Sequence, residues 1–228
     1  MGAGCGRTSM ETYGVMTKNG VELKDGFLVI LSEQTLHIGS KHGAAFYNGC
    51  YIAHTQNGNK IMTIHGEPAA SFYRKMIRQY FNEEVTPENI FSIGLKYPLG
   101  LGGSRGENPV RIPVAIEGDS IIVAGPMDDE STVSLMCIND KALLSASSIA
   151  VNRAKQGVSH VEDKACFIVE CVGRKLVLGE KFSLELDTIA LNLLPAKQCF
   201  GVLSLGEIAN SSDKYIEYSN ESCVIGVF

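Results

Sequence analysis

The chain has 228 residues, a formal net charge of −5 and an isoelectric point near 5.6. Its composition, 45% hydrophobic and 20% charged, is typical of a globular protein and excludes collagen-like and disordered classes. Because acidic residues outnumber basic ones, a general electrostatic attraction to nucleic acid or to anionic lipid is excluded as well. The length suffices for one large domain or two small ones, with a core that needs no disulfides.

The beginning of the chain carries no readable targeting signal. It lacks the apolar segment of a signal peptide, and Gly6 stands where a myristoylation motif needs Ser or Thr. No apolar run is long enough to span a bilayer, so no membrane partner is expected. Seven cysteines are an odd number, which favours reduced thiols. We therefore expect a cytoplasmic protein.

The first third of the chain predicts strands followed by a helix. Residues 26–31, 51–53 and 60–64 are apolar runs typical of strands. The period then changes, which predicts a helix over residues 67–81 with Pro68 in its first turn. One face of this helix carries Ala69, Phe72, Tyr73, Met76 and Tyr80.

The middle of the chain predicts a hairpin, a strand and a second helix. Residues 110–117 and 120–124 flank a two-residue turn, and residues 133–138 form another apolar run. Asp140 is predicted to cap the helix that follows. Its buried stripe is marked by Leu143, Ala146, Ala150 and Ala154, and its end by Gly157.

The last third predicts a strand over 166–171, a turn over 172–174, a third helix and two closing strands over 199–205 and 222–228. Pro195 ends the helix. This order favours an α+β fold with a mixed, largely antiparallel sheet and about three helices. The change of period near Gly66 is the best domain boundary. The apolar stripe of the third helix carries Phe182, Leu186, Ile189 and Leu193.

Three motifs for specific chemistry are incomplete. The glycine-rich residues 100–106 lack the spacing of a nucleotide-binding loop, so we expect a mobile surface loop. His160, Cys166 and Cys171 are too loosely spaced for a structural metal site, and no metal is expected. Cys171, three residues before Arg174, is the candidate nucleophile of an alternative, enzymatic interpretation.

A set of polar residues lies where apolar strands meet glycine turns. An arginine offers a flat fork to a carboxylate, a glutamate accepts from an ammonium group, and an asparagine both donates and accepts. Together they could hold a small zwitterion, or Arg174 and Glu207 could form an internal salt bridge that braces the fold. The candidate ligand-binding residues are Cys171, Gly173, Arg174, Gly206, Glu207 and Asn220.

These motifs also carry a family resemblance. From residue 64 to residue 228 the chain resembles the C-terminal region of the FIST sensory family, and the residues before it resemble the end of that family's N-terminal region. The predicted domains are accordingly 1–66 and 67–228, with an N-terminal region shorter than the family's and Ser222 where the family often has Thr. The resemblance rests on residues 64–69 with Tyr73, residues 98–100 and 110–113, residues 171–174, Gly201 with residues 206–208, and Tyr218 with Asn220.

The resemblance implies a non-catalytic, small-molecule-sensing domain of signal transduction. Amino acids or their derivatives are the implied ligand class, and a signalling protein is the implied partner because no output segment is fused to this sequence. Some family members are similar to haem-linked gas sensors. The sequence therefore leaves haem as an alternative cofactor, with His54 and His65 beside apolar strand residues as candidate axial ligands.

Overall fold

The computed structural model describes residues 1–4, 16–18, 21–23, 29–102, 108–210 and 216–228. The fold is α+β with largely antiparallel sheets, as the sequence predicted. Among the described helices, none is both long and apolar enough to cross a bilayer. The helices are α1 (Ala69–Phe81), α2 (Ile90–Lys96), α3 (Asp140–Lys155), α4 (Val172–Leu178) and α5 (Phe182–Leu193).

The largest sheet carries most of the apolar core. Its strands are β5 (Ala45–Gln56), β6 (Lys60–Ile64), β7 (Glu67–Pro68), β8 (Leu99–Leu101), β9 (Val110–Arg111), β10 (Pro113–Glu117), β11 (Ser120–Val123) and β12 (Glu130–Cys137). They follow the order β10-β11-β6-β5-β12-β8-β9, with β7 on β6. Helix α1 lies against this sheet and buries Phe72, Tyr73 and Met76 against Ile61 and Ile64.

The second sheet has four strands in the order β14-β13-β17-β4. They are β4 (His37–Lys41), β13 (Ala165–Cys171), β14 (Gln198–Ser204) and β17 (Cys223–Val227). Helices α3 and α5 bury Ala150 and Ile189 against one face of this sheet, where Cys166 and Ile225 lie. The chain runs from β13 through α4 and α5 to β14, which pairs with β13 in parallel.

Two small sheets complete the fold. One joins β1 (Gly2–Ala3), β15 (Glu207–Asn210) and β16 (Ile216–Ser219) in the order β1-β15-β16. Its Ala209 contacts Val169 and Val224 of the four-stranded sheet. The other is the pair β2 (Met16–Lys18) and β3 (Val21–Leu23). The small three-stranded sheet therefore places β15 and β16 against the face of β13 and β17 opposite the helices.

The three predicted helices are confirmed, and so are the hairpin and the strands from residue 51 onward. The start of the first helix is wrong, because Glu67–Pro68 form β7 and α1 begins at Ala69. Four further local predictions are wrong. Residues 172–174 open α4 rather than form a turn, and Val29–Leu31 form no strand. Asn139 caps α3 with its side chain on the Ala142 N–H, because Asp140 already lies inside the helix. On α5 the buried stripe includes Glu185, whereas Leu186 is exposed.

Some predictions concern parts of the chain outside the described residues. Gly26 to Leu28 of the first predicted strand and residues 103–106 of the glycine loop belong to these parts. Strands β1, β4, β5 and β6 all precede residue 67 and pair with strands that follow it. The predicted boundary near Gly66 therefore stays a prediction, and the sheets continue across it.

Candidate functional site

Arg174 is a fully buried arginine at the start of α4. Its Nη1 donates to the carbonyl oxygens of His42 at 3.1 Å and Glu221 at 2.9 Å, and its Nη2 donates to that of Leu143 at 2.9 Å. These carbonyls belong to the turn after β4, the turn before β17, and α3. The guanidinium thus connects α4 to α3 and to these two turns, at the end of β13.

Two carboxylates form ion pairs with Arg174. The Nε atom lies 2.5 Å from Glu170 Oε1, and the Nη2 atom donates to Glu185 Oε1. The same Glu185 oxygen accepts from the Ser147 hydroxyl at 2.5 Å. The predicted Arg174–Glu207 ion pair is wrong, because the nearest carboxylates come from the end of β13 and from α5.

Glu221 adds a further buried carboxylate to this cluster. It is fully buried, and neither of its oxygens has a hydrogen-bond partner among the described residues. A Cβ atom on Gly173 would lie only 2.3 Å from Glu221 Oε1. Gly173 is therefore required for space, since any side chain there would collide with the carboxylate.

The buried carboxylates outnumber the guanidinium, and their proton affinities reflect this. Burial raises the pKa of Glu170 to about 8, against the lowering effect of Arg174. Burial raises the pKa of Glu221 to about 8 in the same way. For Arg174, burial disfavours the charge, but Glu170 and Glu185 outweigh it and raise the pKa. The arginine therefore stays charged, and part of the carboxylate cluster holds protons near neutral pH.

Among the buried carboxylates near Arg174, Glu207 is the one that lines a pocket. It begins β15 and is 1% exposed. Its Oε1 accepts from the Ser204 hydroxyl at 2.5 Å, and its Oε2 accepts from the Ser222 N–H at 3.1 Å. Burial raises its pKa to about 7, while the bonds from Ser204, Ser222 and the Cys171 thiol favour the ionised form.

The Glu207 pocket lies between β4, α3, β15 and β16 and has about 400 Å³ of empty space, part of it open solvent. Seven of its nine lining residues are polar or charged, and of these His42, Glu207 and Ser222 are buried. A pocket of this kind suits a small polar molecule better than an apolar one. It is lined by Ser40, His42, Pro109, Arg153, Glu207, Ala209, Glu217, Ser219 and Ser222.

Gly206 and Asn220 support the walls of the pocket. Gly206 has a φ of +97°, and a Cβ atom on it would lie 2.2 Å from the Tyr218 hydroxyl oxygen. With the amide oriented so that both ends find partners, Asn220 accepts from that hydroxyl at 3.2 Å and donates to the carbonyls of Val110 and Ala124. Asn220 is thus engaged inside the protein, where it connects β16 to the β9–β11 region.

Of the six predicted site residues, all lie in this one buried region, but only Glu207 lines the pocket. Cys171 is 3% exposed, and burial raises the pKa of its thiol well above the ordinary value. A protonated, inaccessible thiol does not suit a nucleophile. Arg174 does not line the pocket and is bonded to buried protein atoms.

The histidines proposed as axial haem ligands do not line an apolar slot. The His54 side chain is 55% exposed and lies 3.7 Å from Glu130. His65 is also exposed, with its ring beside those of Tyr51 and Phe72. Neither position fits an axial ligand enclosed by apolar residues. In the described part of the chain, no three His, Cys, Asp or Glu side chains converge to hold a metal ion.

Sequence reasoning missed Glu170, Glu185 and Glu221, which decide the electrostatics of the site. The spacing of Glu170 and Arg174 gave no usable signal, because the rule that residues four apart pair holds within a helix, and Glu170 lies in β13. Glu185 was missed because the helical period assigned its apolar neighbour Leu186 to the buried stripe of α5. Glu221 directly follows Asn220 and gave no sign of burial.

Comparison with known proteins places this architecture in a class of sensory domains. The model of the FIST C domain family matches residues 69–210, which is more than half of the chain. The chain therefore belongs to the FIST C domain family, a family of sensory domains implicated in small-molecule sensing. No curated protein and no solved structure matches the chain.

Proposed function

We propose that this domain senses a small molecule by binding its ammonium group at Glu207, with amino acids or their derivatives as the ligand class. The observation that supports this proposal is a 1% exposed carboxylate that lines a polar pocket. A carboxylate fixed by two donors is preorganised to accept from an ammonium group. Glu217 at the pocket wall adds a second acceptor.

The proposed site also offers a path for a signal. Glu207 accepts from the backbone of Ser222, which follows Glu221, and the Glu221 carbonyl accepts from Arg174. A ligand that changes the charge on Glu207 alters the field at the Arg174 cluster, because these groups share a region from which water is excluded. We propose that a separate signalling protein recognises this change.

We also propose that the protein works in a reducing compartment such as the cytoplasm. Free thiols at all the described cysteines support this proposal.

Thermal-shift screening of amino acids and simple amines tests the proposal. A ligand that binds only the folded state raises the melting temperature by mass action. Glu207→Gln keeps the shape of the side chain and removes its charge, so it should abolish the shift. Glu117→Gln, at an exposed ion pair with Lys60, is the matched control and should leave it intact. Simple amines that lack a carboxylate and still raise the melting temperature of Glu207→Gln unchanged would contradict this site.

The pH dependence of binding gives a second readout. An ammonium group stabilises the ionised form of Glu207, whose pKa is about 7 in the free protein. Binding should therefore release protons near pH 6 to 7 and strengthen as the pH rises towards 8. Calorimetry in buffers of different ionisation enthalpy measures this release. Glu207→Gln should show neither the binding nor the release.

A further inference from the structure

Arg111 is a second buried arginine, and its surroundings differ from those of Arg174. It lies in β9 and is 5% exposed. Its Nε donates to the Pro126 carbonyl at 2.8 Å, and its Nη1 donates to the carbonyls of Val110 and Tyr218 at 3.0 Å each. Among the described residues, no carboxylate forms an ion pair with Arg111, and its Nη2 has no hydrogen-bond partner.

A second pocket adjoins this guanidinium. It has about 1040 Å³ of empty space, which includes open solvent, and it lies on the Tyr218 side of β16. The Glu207 pocket takes Glu217 and Ser219 from the same strand. Because successive side chains of a strand point to opposite faces, the two pockets lie on opposite sides of β16. The lining of the Arg111 pocket includes Arg111, Tyr218, Gly102, Thr132, Asp128 and Glu130.

The guanidinium is positioned rather than free to turn. Three bonds to carbonyl oxygens fix its Nε and Nη1, and its carbon lies 5.1 Å from the centre of the Tyr218 ring. An arginine keeps its charge in proteins, and a buried charge without a partner is unfavourable. The arrangement therefore presents a fixed donor to a pocket, and no carboxylate in the described part of the chain forms an ion pair with it.

We propose that Arg111 is the anion-binding residue of a second ligand site, which takes the carboxylate of a small monocarboxylic acid. A carboxylate matches the planar donors of a guanidinium and supplies the missing countercharge. Asp128 and Glu130 on the pocket wall disfavour a dianion such as phosphate. They also favour an acid with a cationic group at its far end, such as 4-aminobutyrate, over butyrate.

This site is independent of the proposed function, because it uses another pocket and the opposite ligand charge. Titration of the wild-type protein with butyrate, 4-aminobutyrate and inorganic phosphate tests it. The arginine side-chain NMR signal of Arg111, assigned by its loss in Arg111→Lys, should shift and saturate with both carboxylates. It should not move with phosphate at equal concentration and ionic strength. An Arg111 signal that never shifts with carboxylates, or saturates more tightly with phosphate, would overturn the proposal.

Variants distinguish this site from the Glu207 site. Arg111→Lys keeps a positive charge but loses the planar pair of N–H donors of the guanidinium. Butyrate should therefore bind at least about tenfold more weakly. Asp128→Asn lies at an exposed position and should reduce the preference for 4-aminobutyrate over butyrate. Glu207→Gln should leave butyrate binding unchanged. Equal butyrate affinity in wild type and folded Arg111→Lys, or its loss in Glu207→Gln, would contradict the assignment.

Discussion

The core beneath α1 and the region around Arg174 are both fully buried, yet they are built on opposite principles. Beneath α1, Ile61, Ile64 and Ile77 have 1% exposure or less and contact other apolar side chains. Such a core is stabilised by removal of apolar surface from water and by close packing. Around Arg174, the side chains that replace water are carboxylates, hydroxyls and thiols.

The two regions are expected to respond differently to pH. Apolar packing is tolerant of pH, whereas a buried ionic cluster depends on the protonation state of every member. Four glutamates with one arginine would leave three uncompensated negative charges if all were ionised. Raised pKa values at Glu170, Glu207 and Glu221 show that protons fill part of this gap. The region is thus suited to respond to charge, and the α1 core is not.

The largest expected effect comes from removal of the cation. Arg174→Met should lower the free energy of unfolding by about 3–5 kcal/mol at pH 8, because it leaves buried carboxylates without a countercharge. The loss should be smaller at pH 5, where those carboxylates can take up protons. Urea denaturation at the two pH values measures both losses.

An apolar substitution serves as the control for this experiment. Ile61→Ala should cost about 2–5 kcal/mol through the cavity that it leaves under α1. Since no titrating group is involved, that cost should be the same at pH 5 and pH 8. An Arg174→Met loss that is equally independent of pH would remove the proposed contrast between the two regions.

The second prediction concerns the pH dependence of the wild-type protein. Folded Glu170 and Glu221 have pKa values of about 8, above the ordinary value of 4.5 that applies after unfolding. Between these values the folded state binds more protons, so the free energy of unfolding should fall as the pH rises from about 4.5 to 8. Above that window these groups should add no further slope.

Glu221→Gln isolates one member of the cluster. A glutamine resembles the protonated acid, so the variant should match the wild type near pH 5 and exceed its stability by up to a few kcal/mol near pH 9. Thermal unfolding across this range measures the difference. A variant that is equally destabilised at every pH would show that Glu221 acts through shape alone.

The two regions also differ in how far the sequence predicted them. Periodicity located α1 and its buried face because Phe72, Tyr73 and Met76 recur at helical spacing. The same reasoning failed at α4, because a seven-residue helix that contains Gly173 shows too few turns for a period to emerge. Cys171, Glu207 and Asn220, which the sequence analysis grouped, are all buried, although residues 172–174 open a helix and do not form the predicted glycine turn.

Residue types alone did not determine which charges meet. Arg174 pairs with Glu170 and Glu185, and the sequence offered no way to choose these over Glu207. The choice depends on how β13, α4 and α5 cross over, which is a property of tertiary structure. Arg111 was part of a recognised hairpin motif, but only the three-dimensional structure shows that no described carboxylate pairs with it.

The smallest expected effect is at an exposed ion pair, which sharpens the comparison because it lies in water. Lys60 Nζ lies 2.9 Å from Glu117 Oε2, and the two side chains are 26% and 59% exposed, whereas those of the Arg174 ion pairs are buried. Water solvates both partners after either is removed, so Lys60→Met should change the free energy of unfolding by less than about 1 kcal/mol. Added salt should reduce even that change, because screening acts on exposed charges. Urea denaturation at low and high ionic strength measures it alongside Arg174→Met. A loss at Lys60 comparable to that at Arg174 would mean that burial does not control the contribution of an ion pair in this protein.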